Sequence, residues 1–335
     1  YLNLKKNHPN TNNELLLLLS SIILLSPYYR TSAYWALNEN YGLISAMLSL
    51  LCLNFYLKKN EVEKKINKYY YSIIFFSSLS VYFDQKYLIV TMICFFSIFF
   101  SKIDIKIKLY TLLTYAFFSI PYLILIYKWG GIVPVKTQIL NPNTITSLSR
   151  LDGMHFYHLG YVSTIISFYL FPLLMLKEKS ILKTIRRLAS SKWCYAILSI
   201  PLIYISLIYT NYDFKSYTVD EYWIGLGIVH KSSLILFSNL MYQEIFTYIT
   251  FFCSWIIICL YVDEKFTDFL IVIFFFFFSV LIWPLMQEYF DPIIVILALM
   301  AFKTKIKLNY YNTLFVFFYF FIFLIIANIY YFKIL

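Results

Sequence analysis

The chain has 335 residues, of which 61% are hydrophobic and only 13% are charged, and its net charge is +11. Soluble domains carry about 25% charged residues, so a soluble fold would leave far too much apolar surface in water. Apolar runs recur from one end of the chain to the other, and about 20 apolar residues cross a bilayer as a helix. The composition excludes a soluble class and predicts an all-α integral membrane protein.

In chain order, the apolar runs predict one polytopic transmembrane domain, residues 1–335, built as a helical bundle of about 10–11 spans. The predicted spans are 14–29, 41–57, 69–83, 87–101, 109–127, 156–176, 193–209, 241–261, 269–286, 292–302 and 313–332. The stretch 224–240 mixes apolar and polar residues, which predicts an amphipathic helix at the membrane surface. A re-entrant hairpin is the alternative for this stretch.

The basic residues indicate the orientation of the bundle. They concentrate in the loops 58–68, 102–108, 177–192 and 303–307, which one alternating path places on a single side together with Lys5, Lys6 and Lys265. Because short cytoplasmic loops are rich in Lys and Arg, that side is predicted to be cytoplasmic. The same distribution argues against nucleic acid as a partner. The external segments are then 30–40, 84–86, 128–155, 210–240 and 287–291.

Three external segments combine charge with broken helices. The first, residues 30–41, holds Arg30, Trp35 and Glu39 directly after a proline. Such a set suits an anionic or sugar-bearing ligand, and the alternative is an interfacial aromatic belt with a snorkelling arginine. The second is Asp84-Gln85-Lys86 between two short spans, which is either a polar tip in a cavity or an ordinary turn with an ion pair.

The third segment has the strongest site character. Pro284 and Pro292 bracket an amide, a tyrosine and two carboxylates, with apolar runs on both sides. The bracketed polar residues are Gln287, Glu288, Tyr289 and Asp291. Proline breaks a helix, and irregular backbone at membrane depth must face a cavity or be buried in protein. Charges near the hydrocarbon boundary often mark a site, so Arg150 and Asp152 of the long loop 128–155 are further candidates, although solvated loop charges are the alternative.

Four short motifs resemble lipid-linked-sugar glycosyltransferases of the GT-C fold, and most closely the dolichyl-phosphate-glucose α-1,2-glucosyltransferases and their bacterial relatives. The segment SPYYRTSAYWALNENYG, with Glu39, resembles an early aromatic segment of that family. The tip at 82–88 keeps the family glutamine at Gln85, and Gly130-Gly131-Ile132-Val133 resembles the start of a long luminal loop. Residues 284–290 resemble a motif near the family C-terminus, so the likeness covers roughly residues 14–302.

The resemblance implies a GT-C-like fold and transfer of a sugar from a polyprenyl-phosphate donor to a lipid-linked glycan or surface polysaccharide acceptor on the non-cytoplasmic face. It implies catalytic carboxylates at Glu39, Glu288 and Asp291. The expected substrate-binding residues are Arg30, Trp35, Asp84, Gln85, Lys86, Arg150, Asp152, Gln287 and Tyr289. Neither a metal nor a cofactor is implied, and membrane lipids are further expected partners.

Departures from the family pattern at Asp84 and Asp291 favour a bacterial relative, and therefore the bacterial inner membrane over the endoplasmic reticulum. The family's usual acidic pair follows a first span, and no such loop precedes span 14–29. Since the sequence opens at Tyr1 without an initiator methionine, we expect that N-terminal sequence carrying this general base is missing. The alternative functions are a transporter or flippase and a polysaccharide polymerase or ligase, all acting on lipid-linked substrates.

Overall fold

The computed structural model is helical throughout the part of the chain it describes. It describes residues 1–34, 37–63, 66–101, 103–129, 154–178, 181–191, 193–211, 226–262, 266–282 and 285–331. Helices account for 84% of the structure, and the described ranges contain no strand. The predicted all-α membrane class is confirmed.

Helices lie where the apolar runs predicted them. Their bounds are α1 Leu2–Asn7, α2 Asn13–Ser21, α3 Pro27–Tyr34, α4 Glu39–Glu63, α5 Lys68–Phe83, α6 Leu88–Phe99, α7 Ile105–Trp129, α8 His158–Leu173, α9 Ile181–Ser190, α10 Trp193–Asn211, α11 Gly227–Leu236, α12 Leu240–Tyr261, α13 Phe266–Leu281, α14 Ile293–Met300 and α15 Tyr310–Tyr331. Short 3₁₀ turns cover Ile22–Leu25, Gln85–Tyr87, Leu174–Leu176 and Gln287–Tyr289. Each predicted span therefore contains a helix, and α11 lies within the stretch predicted as amphipathic.

Five helices are long and apolar enough to cross a bilayer within the described residues. They are Glu39–Lys58, Ile105–Trp129, His158–Leu176, Leu240–Tyr261 and Tyr310–Tyr330. A sixth crossing is obtained if the bent pair Ile181–Ser190 and Cys194–Thr210 counts as one span. The apolar helices at 13–25, 85–99 and 267–281 are shorter. A multi-pass protein is thus supported, and the number of about 10–11 full crossings stays a prediction.

Side-chain caps explain where several helices begin. The side-chain oxygen of Asn67 accepts hydrogen bonds from the backbone N–H groups of Tyr69 and Tyr70 at the start of α5. Asn239 does the same for Met241 at the start of α12, at 2.9 Å. Asparagine is a favoured N-cap because its oxygen satisfies N–H groups that the first turn leaves without a helical partner.

Helix α8 lies at the centre of the bundle. Most of its side chains are buried, and it packs against α11, α12, α13, α14 and α15. Gly160 permits the closest of these approaches, because a Cβ at that position would overlap the ring of Phe251 on α12. In contrast, α7 is largely exposed and carries apolar side chains such as Leu113 and Phe117 on its surface. An exposed apolar face of this size suits contact with lipid.

The connecting segments gather at two ends of the bundle. At the predicted cytoplasmic end, the Lys307 N–H donates to the carbonyl of Leu176 at 2.7 Å, and the Asn54 amide donates to the carbonyl of Met300 at 2.7 Å. At the other end, the segment after Leu25, the tip at 84–87 and the tip at 285–291 contact one another. This second gathering forms the candidate site.

Candidate functional site

The three segments singled out by their charge meet at one end of the bundle. Lys86 reaches Glu39 across a 3.0 Å ion pair, which joins the second tip to the start of α4. The hydroxyl of Ser26 donates a hydrogen bond to the carboxylate of Asp291, which joins the segment before α3 to the third tip. A small cavity between them is lined by residues of all three segments, including Tyr28. We call this arrangement the external cleft.

Lys86 is the cation at the centre of the cleft. Its Nζ lies 3.0 Å from a carboxylate oxygen of Glu39 and 3.1 Å from one of Asp84, and only 9% of its side chain is exposed. Asp84 also accepts a hydrogen bond from the backbone N–H of Lys86 at 3.0 Å, which fixes the 3₁₀ turn. Two carboxylates therefore already balance the charge of Lys86, and its role in substrate binding stays a prediction.

Asp291 is the buried carboxylate of the cleft. The residue is only 3% exposed. Burial raises the pKa of its carboxyl to about 7, and hydrogen bonds from the Ser26 and Tyr169 hydroxyls and the Tyr28 backbone N–H limit the rise. A carboxyl with a pKa in this range gains and loses its proton near neutral pH. Asp291 is therefore suited to hold a proton as well as to accept hydrogen bonds.

The local sequence explains the position of Ser26. Its hydroxyl accepts a hydrogen bond from the backbone N–H of Tyr29 at 2.9 Å, so Ser26 caps α3. Pro27 occupies the first position of that helix, where a missing N–H costs nothing. The same hydroxyl donates to Asp291, so the start of α3 and the third tip are held together by one side chain.

Glu288 differs from the other carboxylates of the cleft. The residue is exposed, and within the described ranges its side chain forms neither a hydrogen bond nor an ion pair. The protein around it still removes enough water to raise the pKa of its carboxyl, and the charge of Glu39 raises it further, whereas Lys86 lowers it. A carboxylate of raised basicity that is open to solvent is a suitable proton acceptor.

Gln287 fastens the third tip to the centre of the bundle. Its side-chain oxygen accepts from the backbone N–H of Ile228 at 2.9 Å, and its amide donates to the hydroxyl of Tyr169 at 3.2 Å. The turn that delivers Ile228 passes through Gly227 at a φ of 80°, a conformation that glycine adopts without strain. The predicted substrate-binding residue Gln287 is therefore a positioning residue in the structure.

The remaining predicted site residues differ in their surroundings. Arg30 is exposed on the first turn of α3 and forms no ion pair with any described residue. Gln85 is exposed and hydrogen-bonds to Tyr122, while Tyr289 is half-buried beside Glu288. Trp35, Arg150 and Asp152 lie outside the described residues. Arg30 is thus a cation whose charge is available to an anionic ligand.

Three residues of the site were not identified from the sequence. Ser26 had a usable signal, since a serine before a proline is a common helix start. Tyr169 had none, because it lies inside an apolar span, yet its hydroxyl reaches both Gln287 and Asp291. Lys231 was recognised only as a loop charge, and the structure places it near enough to Glu288 to lower the pKa of that carboxyl.

The cleft itself is nearly closed. Its volume is about 10 Å³, and a single water molecule needs a cavity of about that size. A ligand larger than a water molecule would therefore lie outside the interior of the cleft, on the side where Glu288 is exposed. Among the described residues, no group of three or more His, Cys, Asp or Glu side chains is arranged to hold a metal ion.

Comparison with known proteins adds no assignment. No family model, no curated protein and no solved structure matches this chain. The functional argument therefore depends on the chemistry of the external cleft and on the resemblance of the short motifs that contribute to it.

Proposed function

We propose that this chain is a membrane glycosyltransferase that moves a sugar from a polyprenyl-phosphate donor to a lipid-linked glycan or surface polysaccharide on the non-cytoplasmic face. The observation that supports this most is the convergence of Glu39, Asp84, Glu288 and Asp291 from distant parts of the chain onto one cleft. Clustered carboxylates suit sugar hydroxyls, and the exposed Arg30 at the start of α3 suits a leaving phosphate. Three of the four motifs that resemble the GT-C family lie in these same segments, and the fourth, at 130–133, lies outside the described residues.

The proposed reaction is a direct displacement. The oxygen of an acceptor hydroxyl attacks the anomeric carbon of the donor sugar, and the bond from that carbon to the phosphate oxygen breaks. Glu288 takes the proton of the acceptor hydroxyl, and the polyprenyl phosphate leaves with the electron pair of the broken bond. General-base catalysis of this kind contributes about 10²–10⁴-fold to a rate.

The other residues of the cleft would support this step. Arg30 would bind the departing phosphate, which gains negative charge in the transition state. Lys86 would hold Glu39 and Asp84 in place, since both carboxylates lie within 3.1 Å of its amine. Asp291, which is only 3% exposed, would hold the third tip beneath the mouth of the cleft through its hydrogen bonds from Ser26 and Tyr169.

Glu288→Gln tests the proposal. Purified protein in proteoliposomes would be given short-chain polyprenyl-phosphate glucose or mannose together with a bacterial lipid extract as acceptor, and released polyprenyl phosphate would be measured. We expect the variant to lose at least about 100-fold in rate because it cannot accept a proton. The matched control is Glu244→Gln, which changes a carboxylate of α12 outside the cleft.

Two outcomes would contradict the proposal. Transfer by Glu288→Gln at the rate of the unaltered protein would remove Glu288 from the reaction. Intact donor after incubation with the unaltered protein, together with movement of a fluorescent polyprenyl phosphate between leaflets, would favour the flippase alternative.

A further inference from the structure

The end of the bundle opposite the external cleft contains a basic cavity. Its volume is about 860 Å³, and it lies between the N-terminal residues, the end of α4 and the segment 298–308. Its lining includes four lysines: Lys58, Lys303, Lys305 and Lys307. Hydroxyl and amide groups, such as those of Thr11 and Asn54, provide further hydrogen-bonding groups. We call this the basic cavity.

The positive charge of the basic cavity is not balanced by the residues around it. Within the described ranges, none of its lysines has a carboxylate within 4 Å. Asp268 is near Lys303, where its oxygens accept from the Lys303 backbone N–H at 2.8 Å and from the Thr304 hydroxyl at 3.0 Å, and its charge offsets part of the charge of that lysine. The only carboxylate in the described lining is Glu178. Four lysines against Glu178 and Asp268 still leave a net positive charge, which attracts anions.

Lys58 lies close enough to other basic groups of this lining to influence their titration, after the larger effect of burial. Burial lowers the pKa of Lys303, Asp268 raises it, and the neighbouring charge of Lys58 lowers it. Burial and then Lys58 also lower the pKa of His8, which lies in the same lining. Repulsion among cations of this kind is relieved when an anion binds between them.

An apolar cavity adjoins the basic one. Its volume is about 650 Å³, and it shares Leu57 and Lys303 with the basic cavity. Aromatic rings from two helices form part of its wall, since Phe96 stacks on Phe100 and on Phe274 with centroids 5.5 and 5.3 Å apart. This cavity lies between α4, α6 and α13, within the apolar layer of the bundle. Its lining suits a hydrocarbon chain and offers little to a water-soluble ligand.

We propose that the two cavities together bind a lipid with a phosphate head group, drawn from the cytoplasmic leaflet, with the phosphate among the lysines and a hydrocarbon chain against the phenylalanines. Glu39 and Lys58 lie at opposite ends of α4, and 19 residues of helix span about 28 Å. The lipid site is therefore separated from the external cleft by nearly the thickness of the hydrocarbon layer. It does not depend on the proposed transferase activity.

The experiment measures lipid retained by the purified full chain. The protein in detergent would be incubated with dioleoyl phosphatidic acid or dioleoyl phosphatidylcholine, and bound lipid would be counted by native mass spectrometry. We expect at least ten-fold higher occupancy by phosphatidic acid. The triple variant Lys58→Gln, Lys305→Gln and Lys307→Gln should lose this preference, and its melting temperature should stay unchanged because all three side chains are exposed.

A matched control removes the same charge elsewhere on the predicted cytoplasmic side. The triple variant Lys183→Gln, Arg186→Gln and Arg187→Gln changes three exposed residues of α9 and should retain phosphatidic acid as the unaltered protein does. A second variant, Ser97→Trp, fills the apolar cavity and leaves the charge of the basic cavity unchanged. It should reduce lipid occupancy.

Three results would overturn the proposal. Equal retention of the two lipids would show that the lysines do not select a phosphate monoester. Equal loss in the α9 control would show a general surface-charge effect. Displacement of the lipid by inorganic phosphate or glycerol 3-phosphate at the concentration of the lipid would identify a site for soluble anions.

Discussion

The two ends of this bundle carry opposite charge: carboxylates predominate at one end and lysines at the other. At the external cleft, Lys86 pairs with Glu39 and Asp84 beside a cavity of about 10 Å³, and Glu288 and Asp291 lie nearby. At the basic cavity, four lysines line about 860 Å³ and adjoin an apolar cavity. One helix, α4, contributes Glu39 to the first and Lys58 to the second. One membrane domain thus combines a carboxylate-rich cleft at one end with a lysine-rich cavity at the other.

Each end also contains one buried aspartate, and their environments differ. Asp291 accepts hydrogen bonds from three groups, two of them hydroxyls, and the pKa of its carboxyl is about 7. Asp268 is fully buried and accepts from the Lys303 backbone and the Thr304 hydroxyl, which ties the start of α13 to the segment after α14. We therefore expect Asp291 to confer pH dependence and Asp268 to confer stability.

The largest expected effect is the change in stability with pH that Asp291 causes. The folded protein holds the proton of Asp291 up to about pH 7, whereas an unfolded aspartate releases it near pH 4. The stability from this group is therefore complete below about pH 4 and is lost as the pH rises to about 7, a change of about 4 kcal/mol. Asp291→Asn should remove that dependence and be more stable than the unaltered protein at pH 8.

The measurement is the melting temperature in detergent between pH 4 and pH 8. Asp104→Asn is the control, because Asp104 is exposed at the predicted cytoplasmic end. If the two variants show the same pH profile as the unaltered protein, the pKa of Asp291 is not raised in the folded state.

The second prediction concerns Asp268. Asp268→Ala removes the acceptor of the Lys303 N–H, while the Thr304 hydroxyl keeps the carbonyl of Tyr261 at 3.1 Å. The lost acceptor costs about 2 kcal/mol. We expect a lower melting temperature for this variant and no change for Asp104→Asn, which keeps the side-chain oxygen that accepts from the Lys106 N–H. Sugar transfer per folded molecule should be unaffected. A loss of sugar transfer by Asp268→Ala without a matching loss of folded protein would contradict this prediction. The predicted cytoplasmic end would then take part in the reaction.

Much of the fold was accessible from the sequence, and the reason is physical. Apolar runs have one stable form in a bilayer, so the helices of the described residues appear where the runs predicted them. The charged tips were also recognisable, because prolines and carboxylates between apolar runs are costly without a purpose. These are local signals, and they identified Glu39, Asp84, Glu288 and Asp291 before their spatial arrangement was known.

The contacts that these residues form in space could not be predicted from the sequence. Ser26 and Asp291 are separated by 265 positions, and Tyr169 reaches the cleft from within an apolar span. No local pattern shows that Lys86 is already neutralised by two carboxylates. The lysines of the basic cavity were interpreted only as a signal of orientation, since the sequence does not show that they surround a common space.

The smallest expected effect examines how closely the external cleft is coupled to helix α3. Ser26→Ala removes both the cap of α3 and a donor to Asp291, at a cost of about 1–2 kcal/mol. The cost should be larger at pH 8, where Asp291 is ionised, than at pH 5, where it is protonated and needs the donor less. Ser21→Ala is the control, because that hydroxyl bonds only within its own helix turn, to Leu18 at 2.8 Å. Equal melting-temperature losses for Ser26→Ala at the two pH values would show that Ser26 acts as a cap alone, and that the start of α3 does not sense the charge of Asp291.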